Sequence, residues 1–196
     1  GNAQPITRRT APMKITPDPE LQGLLLIEPD VFRDVDGFFL ETMRESWIQP
    51  HDPGVRFVQA NHSRSCFGTI RGLHFQRRPG QAKLVRAATG RIVDVAVDIR
   101  PASPTFGRWR RYPLREENGR LLYIPAGFAH GFRVCSEWAD VFYLCGSYYD
   151  GAEERTIKWD DPDLAVDWED AGAALVSSRD EKAPSWAQVR EQLIGE

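Results

Sequence analysis

No apolar run in this sequence approaches the ~18 residues that a membrane-crossing helix needs, and no signal-peptide pattern opens it, so the compartment expected is the cytoplasm. Neither charge dominates. Lys and Arg number 25 against 28 Asp and Glu, net -3, which excludes the broad basic field that nucleic acid or an anionic membrane surface selects and leaves small ligands as the expected partners. Cysteine is scarce: Cys66, Cys135 and Cys145 are odd in number, widely spaced and form no CxxC pair, so they read as reduced core thiols and not as a disulfide framework. Histidine is nearly as scarce, with four in 196 residues, and one of them, His74, sits near an arginine inside the apolar run IRGLHFQ.

What is present is a set of short alternating segments broken by Gly, Pro and Asn turns. The clearest is RIVDVAVDI (91–99), where Val93, Val95, Val97 and Ile99 share one face and Asp94 and Asp98 the other. LLLIE (24–28), VRFVQ (55–59), KLVRAA (83–88), RLLYI (120–124) and DVFYLC (140–145) read as further strands. Turn signals such as RRPG, ATG, RPASP, EENG and PAG recur at a spacing that suits a sandwich or barrel and not βαβ units. One helix is predicted, in PSWAQVREQLI, with Pro184 in its first turn and Trp186, Val189 and Leu193 on one stripe. Residues 151–180, rich in Asp, Glu and Trp, read as an irregular wrap over the barrel. The length suits one domain. GNAQPITRRTAP (1–12) reads as an added leader, with a natural start at Met13 and a single domain over 13–196.

Two spacings carry chemistry. Gly68 is followed after five residues by His74 and then by Gln76; Gly119 is followed after five residues by Pro125, Ala126 and Gly127, and then by His130. They resemble the paired motifs of the cupins, whose double-sheet jelly roll brings both segments to one barrel mouth. The predicted fold class is therefore mainly β, a cupin-type jelly roll with a short C-terminal helix. Metal-binding cupins take two histidines and a carboxylate from the first motif and one histidine from the second. Here Gln76 stands at the second histidine position, and Gly80 and Gln81 occupy the ground where a Glu belongs. That leaves two imidazoles, short of the roughly three protein ligands that open catalytic sites keep, so neither metal nor other cofactor is expected. What the mouth offers instead is organic acid, base and cation chemistry from Arg71, His74, Lys83 and Tyr143. Arg71 and His74 are an odd number apart, so a regular strand would set them on opposite faces; a bulge at Gly72 would re-aim one of them.

A longer set of stretches, FVQANHS (57–63), IRGLHFQ (70–76), KLV (83–85), VDVAVDIRPASPTFG (93–107), IPAGFAHGF (124–132), FYLCGSYY (142–149) and IKWDDPDLAVDW (157–168), closely resembles the dTDP-4-dehydrorhamnose 3,5-epimerases and related deoxysugar epimerases. The likeness covers roughly residues 14 to 190. It implies proton abstraction next to the C4 ketone of a dTDP-linked 4-keto-6-deoxyhexose, with inversion at C3, C5 or both through an enolate. By this resemblance His74 is the base, Asp180 the carboxylate that orients it, Tyr143 the acid across the ring and Lys83 the enolate stabiliser with His130 nearby. The pairing is chemically sensible, because imidazole titrates near neutral pH and a carboxylate fixes its tautomer. Arg71 would meet the diphosphate, Gln59 and Asn61 the nucleotide, and Tyr149 would stack on it or close the pocket. The family's N-terminal strand crosses to the partner of a homodimer, which gives Phe39 and Glu41, in FRDVDGFFLE, a place in the partner's site. Asp36 departs from the Arg that commonly precedes the Gly-Phe pair, and Glu181 from the Lys common after the orienting Asp.

Two other classes compete: a metal-dependent cupin oxygenase with an unusual ligand, and a non-catalytic barrel that binds a nucleotide sugar. Taken singly, His62 reads as a structural residue, Arg77 and Arg78 as solvated loop charges, and Trp109, Trp138, Trp159, Trp168 and Trp186 as core or dimer-interface residues. Asp94 and Asp98 do not form a glycosidase pair. Four residues of strand separate them by about 13 Å, beyond the 5–9.5 Å such pairs use.

Overall fold

The computed structural model describes residues 13–169 and 172–195, together with the backbone of Arg8 and Arg9; the rest of the leader segment lies outside the described residues. Alternation builds two six-stranded layers, antiparallel except for one short strand. The first runs β10 (Trp109–Arg115), β9 (Arg91–Asp98), β12 (Phe128–Val134), β7 (Thr69–Gln76) and β14 (Glu154–Thr156), with β15 (Leu175–Val176) parallel to β7. The second runs β2 (Lys14–Pro17), β3 (Leu25–Glu28), β11 (Leu121–Ile124), β8 (Lys83–Thr89), β13 (Trp138–Cys145) and β6 (Gln59–Cys66). A small sheet of β1 (Arg8–Arg9), β4 (Val31–Asp34) and β5 (Gly37–Leu40) stands apart.

The two layers face each other across a shared core. Ile92, Ala96, Phe128, Phe132 and Val134 come from the first, and Val85, Ala87, Leu122, Ile124 and Val141 from the second, which makes the double-sheet jelly roll. A second core lies behind the first sheet. There Val93, Val95, Val97 and Ile99 meet Leu73, Phe75, Trp168 and Trp186. Strand β9 is thus buried on both faces, and the face carrying Asp94 and Asp98 points into the barrel and not to water. The C-terminal wrap is the cause, since it covers what would otherwise be the solvent face.

Several local expectations shift. VRFVQ is not a strand: β6 begins only at Gln59, and the run through Cys66 is polar because its inner positions line the barrel. The final helix, α3 (Trp186–Ile194), starts two residues after Pro184, which lies outside its first turn, with Ser185 as N-cap and Gln188 closing a capping box. Trp186 and Val189 lie beneath it as predicted. The wrap holds two short strands, β14 and β15, and one helical turn, α2 (Ser178–Glu181), the third helix being α1 (Glu45–Ile48). All three thiols are free, but only Cys145 is buried; Cys66 and Cys135 are half-buried. Trp138 is exposed, unlike the buried Trp168 and Trp186. His62 is a strand residue that bonds Asp140 at 2.7 Å on the outer face of the second sheet, and Arg77 pairs with Glu153 at 3.3 Å.

Candidate active site

The site begins with a break in pairing. On β7, His74 lies opposite His130 and Arg71 opposite Phe132, so three steps on one strand meet two on the other. The extra residue falls at Gly72 and Leu73, the place where a bulge would re-aim one of the two side chains. Gly72 has φ 119°, and a Cβ there would come within 2.6 Å of both Gly131 Cα and His130 O. The shift sends Ile70 and Leu73 into the rear core and turns Arg71 and His74 to the same barrel face.

Helix α2 reaches that face from the wrap. Asp180, 2 % exposed, accepts the backbone N–H of Gly72 at 3.1 Å and bonds His74 Nε2 at 2.7 Å. Ser177 caps the turn by accepting the Asp180 N–H at 3.1 Å, which fixes the carboxylate from behind. Burial works against ionisation of Asp180, yet the bonds from His74 and Gly72 and the charge of Arg179 outweigh it and hold the carboxyl below its ordinary range. Arg179 Nη2 stands 3.1 Å from the same Nε2 and also grips Glu154 through both terminal nitrogens, at 2.9 and 3.2 Å. One nitrogen cannot donate to Asp180 and accept from Arg179 together. The ionised, nearer carboxylate takes the proton, which leaves Nδ1 as the basic nitrogen of a side chain still 24 % exposed.

Opposite stand groups from the second sheet. Lys83, 9 % exposed, lies at the start of β8 with its ammonium 5.9 Å from the Tyr143 ring. Burial pushes the Lys83 ammonium down from its usual value, against the pull of Cys145, Asp94 and Glu154. Burial likewise raises the Tyr143 phenol, against a hydrogen bond with Asn61. A lysine made more acidic is a better donor to a developing enolate, and a phenol kept protonated is a ready acid.

Arg71 Nε donates to Ser65 Oγ at 3.0 Å, on the inner face of β6. Gln59 donates to Asn61 Oδ1 at 3.1 Å and accepts the Tyr149 backbone N–H at 3.0 Å, tying the rim loop to β6. The Tyr149 hydroxyl donates to Glu154 at 2.8 Å. Gln76, in the place of a metal-binding histidine, is spent on the loop: it donates to Tyr148 O at 3.2 Å and accepts the Asp150 N–H at 2.7 Å. Among the described residues, no group of three or more His, Cys, Asp or Glu side chains could hold a metal ion.

Phe39 and Glu41 are not in this cluster. Phe39, 66 % exposed, projects from β5, and the loop that follows holds Glu41 against Arg44. Three participants escaped the sequence reading. Glu154 and Arg179 lie in the wrap, where no periodicity marks them. Asp94 was dismissed as half of a glycosidase pair, yet it bonds His130 Nε2 at 2.5 Å inside the barrel, while Asp98 bonds Arg100 at 2.9 Å. Their shared face with the apolar Ile92 and Ala96 was the available signal.

A jelly-roll barrel that sets a carboxylate-backed imidazole, a buried ammonium and a half-buried phenol around one interior belongs with the proton-transferring isomerases. The dTDP-4-dehydrorhamnose 3,5-epimerase family profile matches residues 18–188. The chain belongs to that family and is an epimerase. It is 47 % identical to the dTDP-4-dehydrorhamnose 3,5-epimerase of Pseudomonas aeruginosa over 168 residues, 85 % of this chain and 93 % of that one. The enzyme of the same name from Neisseria gonorrhoeae is 42 % identical over 90 % of this chain, which spans only 54 % of that relative's length. The structure is similar to that of dTDP-6-deoxy-D-glucose-3,5-epimerase from Legionella pneumophila in complex with dTDP-4-keto-L-rhamnose, with a TM-score of 0.87, 41 % identity, and 92 % and 96 % of the two chains covered.

Proposed function

We propose that the protein epimerises a dTDP-linked 4-keto-6-deoxyhexose in deoxysugar biosynthesis, with His74 taking the proton next to the ketone and Tyr143 returning one from the opposite face. The observation that carries the reading is the His74–Asp180 pair, 2.7 Å apart, with Nδ1 left basic in a barrel that also holds Lys83 and Tyr143. Loss of the α-proton throws charge onto the ketone oxygen. Lys83 neutralises it there, in an interior where water competes poorly. Asp180 stabilises the imidazolium formed, and the proton delivered by Tyr143 completes inversion at that carbon. Arg71 takes the diphosphate, Gln59 and Asn61 contact the nucleotide, His130 contacts the sugar, and Tyr149 closes over the rim.

Asp36 and Glu181 put negative charge where a dianionic ligand calls for positive. Arg179 does not offset it, because Glu154 and Asp180 already hold its guanidinium, and the diphosphate is left to Arg71. We further infer a homodimer, in which Phe39 and Glu41 serve the partner's site. The exposed Phe38 and Phe39 of β5, and Phe142 on the outer face of the second sheet, are surfaces that a second copy would cover. Light scattering that returned the mass of one chain would remove this part. No described helix is long and apolar enough to cross a membrane, in keeping with work in the cytoplasm, which cell fractionation tests.

The test of function is proton NMR of dTDP-4-keto-6-deoxy-D-glucose with the protein in D₂O. Deuterium entering both H3 and H5 defines a 3,5-epimerase, and entry at one defines a mono-epimerase. Intact substrate with neither position exchanged, over folded protein, refutes the reading.

A further inference from the structure

We propose that Asp94 is a positioning residue of this site, fixing the ring of His130 through Oδ1 and holding inside the barrel the negative charge that keeps Lys83 an ammonium. The inference rests on the function proposed above. Asp94 has no exposure, and His130 is 6 % exposed. The carboxylate bonds His130 Nε2 through Oδ1, while Oδ2 is buried without any hydrogen-bond partner. Lys83 is in the complementary position: it is 9 % exposed, its ammonium stands 5.9 Å from the Tyr143 ring, and among the described residues it has no carboxylate within ion-pair distance. A buried cation without an acceptor and a buried carboxylate oxygen without a donor occupy one interior. Each offsets the desolvation of the other.

The remaining groups around Lys83 cannot take that part. Cys145 pairs with Lys83 across β13 and β8, but burial raises its thiol, so it is neutral near neutral pH. Glu154 on β14 is already gripped by Arg179, and Asp180 serves His74 on β7. Tyr143 on β13 is held protonated by burial. His130 on β12 is pushed toward the neutral form by burial, against Asp94, with Lys83 and His74 adding to the downward shift. A neutral His130 does not cancel the charge of Asp94. With Nε2–H committed to Asp94, its Nδ1 is an acceptor. His130 therefore receives a hydrogen bond from a sugar hydroxyl, and the enolate oxygen takes its donor from Lys83.

Asp94→Asn keeps the shape and removes the charge. Its kcat–pH profile should show the alkaline limb moved toward acid by about one pH unit, the acid limb in place, and KM within about threefold of the unsubstituted enzyme. A loss of kcat with the alkaline limb unmoved would mean a merely structural residue and overturn the proposal, as would an unchanged profile. Should the variant not fold, nitrogen-15 NMR of the imidazoles in the unsubstituted protein decides. His130 is expected with Nε2 protonated and Nδ1 bare at neutral pH; the other tautomer, or a doubly protonated ring, refutes the assignment. Failure of the whole reading looks different, because it appears as absent exchange at H3 and H5 with the unsubstituted protein.

Discussion

Asp180→Asn separates the two things that Asp180 does. Its carboxylate accepts from the Gly72 N–H at 3.1 Å and from His74 Nε2 at 2.7 Å, both from a position 2 % exposed. An Asn amide can still accept the Gly72 N–H through its oxygen, but it then turns an NH₂ donor toward Nε2. The imidazole must move its proton to Nδ1, the nitrogen that has to be free to act as base. The fold survives and the base is lost. General-base catalysis contributes about 10²–10⁴ in rate, or about 2.7–5.4 kcal/mol at roughly 1.36 kcal/mol per decade, and kcat should fall by that range with KM nearly unchanged. Asp180→Ala should match it in kcat and add a stability cost of about 1–3 kcal/mol, because the buried Gly72 N–H then has no acceptor. Each kcal/mol reads as about 2–4 °C in Tm for a domain of this size. The folded carboxyl is held below its ordinary value, so the stability it contributes is fully present above about pH 3.9 and is lost as pH falls through the lower folded value. The Tm difference between the unsubstituted protein and Asp180→Asn should therefore narrow only at the acid end. Exchange at H3 and H5 in D₂O reports the chemistry and thermal melts report the fold. An Asp180→Asn enzyme with turnover near that of the unsubstituted protein would refute the dyad.

Lys83→Met replaces a buried ammonium by an apolar side chain of similar length, so kcat should drop about 10²–10³, and Tm should fall as well because the buried Asp94 loses the charge that offsets its desolvation; a folded variant that kept its rate would exclude Lys83 from enolate stabilisation. Tyr143→Phe removes the acid from one face and leaves the base on the other. Deuterium should still enter the sugar, without accumulation of the inverted product, and NMR that showed inversion at the normal rate would assign the acid elsewhere.

Much of this was legible before any coordinates, and the reasons are local. Period-two alternation marks β8, β9, β11 and β13, and the turn chemistry of Gly and Pro separates them. His74 and His130 are readable because two Gly-anchored spacings deliver them to one barrel. The odd interval between Arg71 and His74 left room for a bulge at Gly72, and the pairing of β7 with β12 has one there. Illegible residues belong to segments whose partner is distant in sequence. Strand β6 is polar on its inward positions, Gln59, Asn61, Ser63 and Ser65, so no hydrophobic signal announces it, whereas Val55 and Val58 imitate a strand in a run that stays irregular, tied to β13 only at its end by the Val58 N–H to Cys145 O bond of 2.9 Å. Glu154 and Arg179 reach the mouth only because the wrap returns across β7, adding β14 and α2 at its edge. Asp94 was passed over for the opposite reason. The strand's alternation was clear, but alternation alone does not say that a second layer covers the face that carries Asp94.

That second layer also explains how one pair of residue types is put to two uses. The barrel holds two carboxylate–imidazole pairs, His74 with Asp180 and His130 with Asp94, brought level because the two histidines face each other across β7 and β12. Their surroundings differ. His74 lies toward the opening, 24 % exposed by side chain, and its carboxylate is anchored by a backbone N–H and flanked by Arg179. His130 is 7 % exposed by side chain, and its carboxylate keeps one oxygen unpartnered in the same interior as Lys83. A base must meet substrate, exchange its proton and survive as a cation, and the open, anchored pair meets those demands. The sealed pair can touch the sugar but is ill suited to survive as a cation, since charging its ring next to Lys83 in a dry interior is unfavourable. Environment, and not residue type, divides proton transfer from positioning.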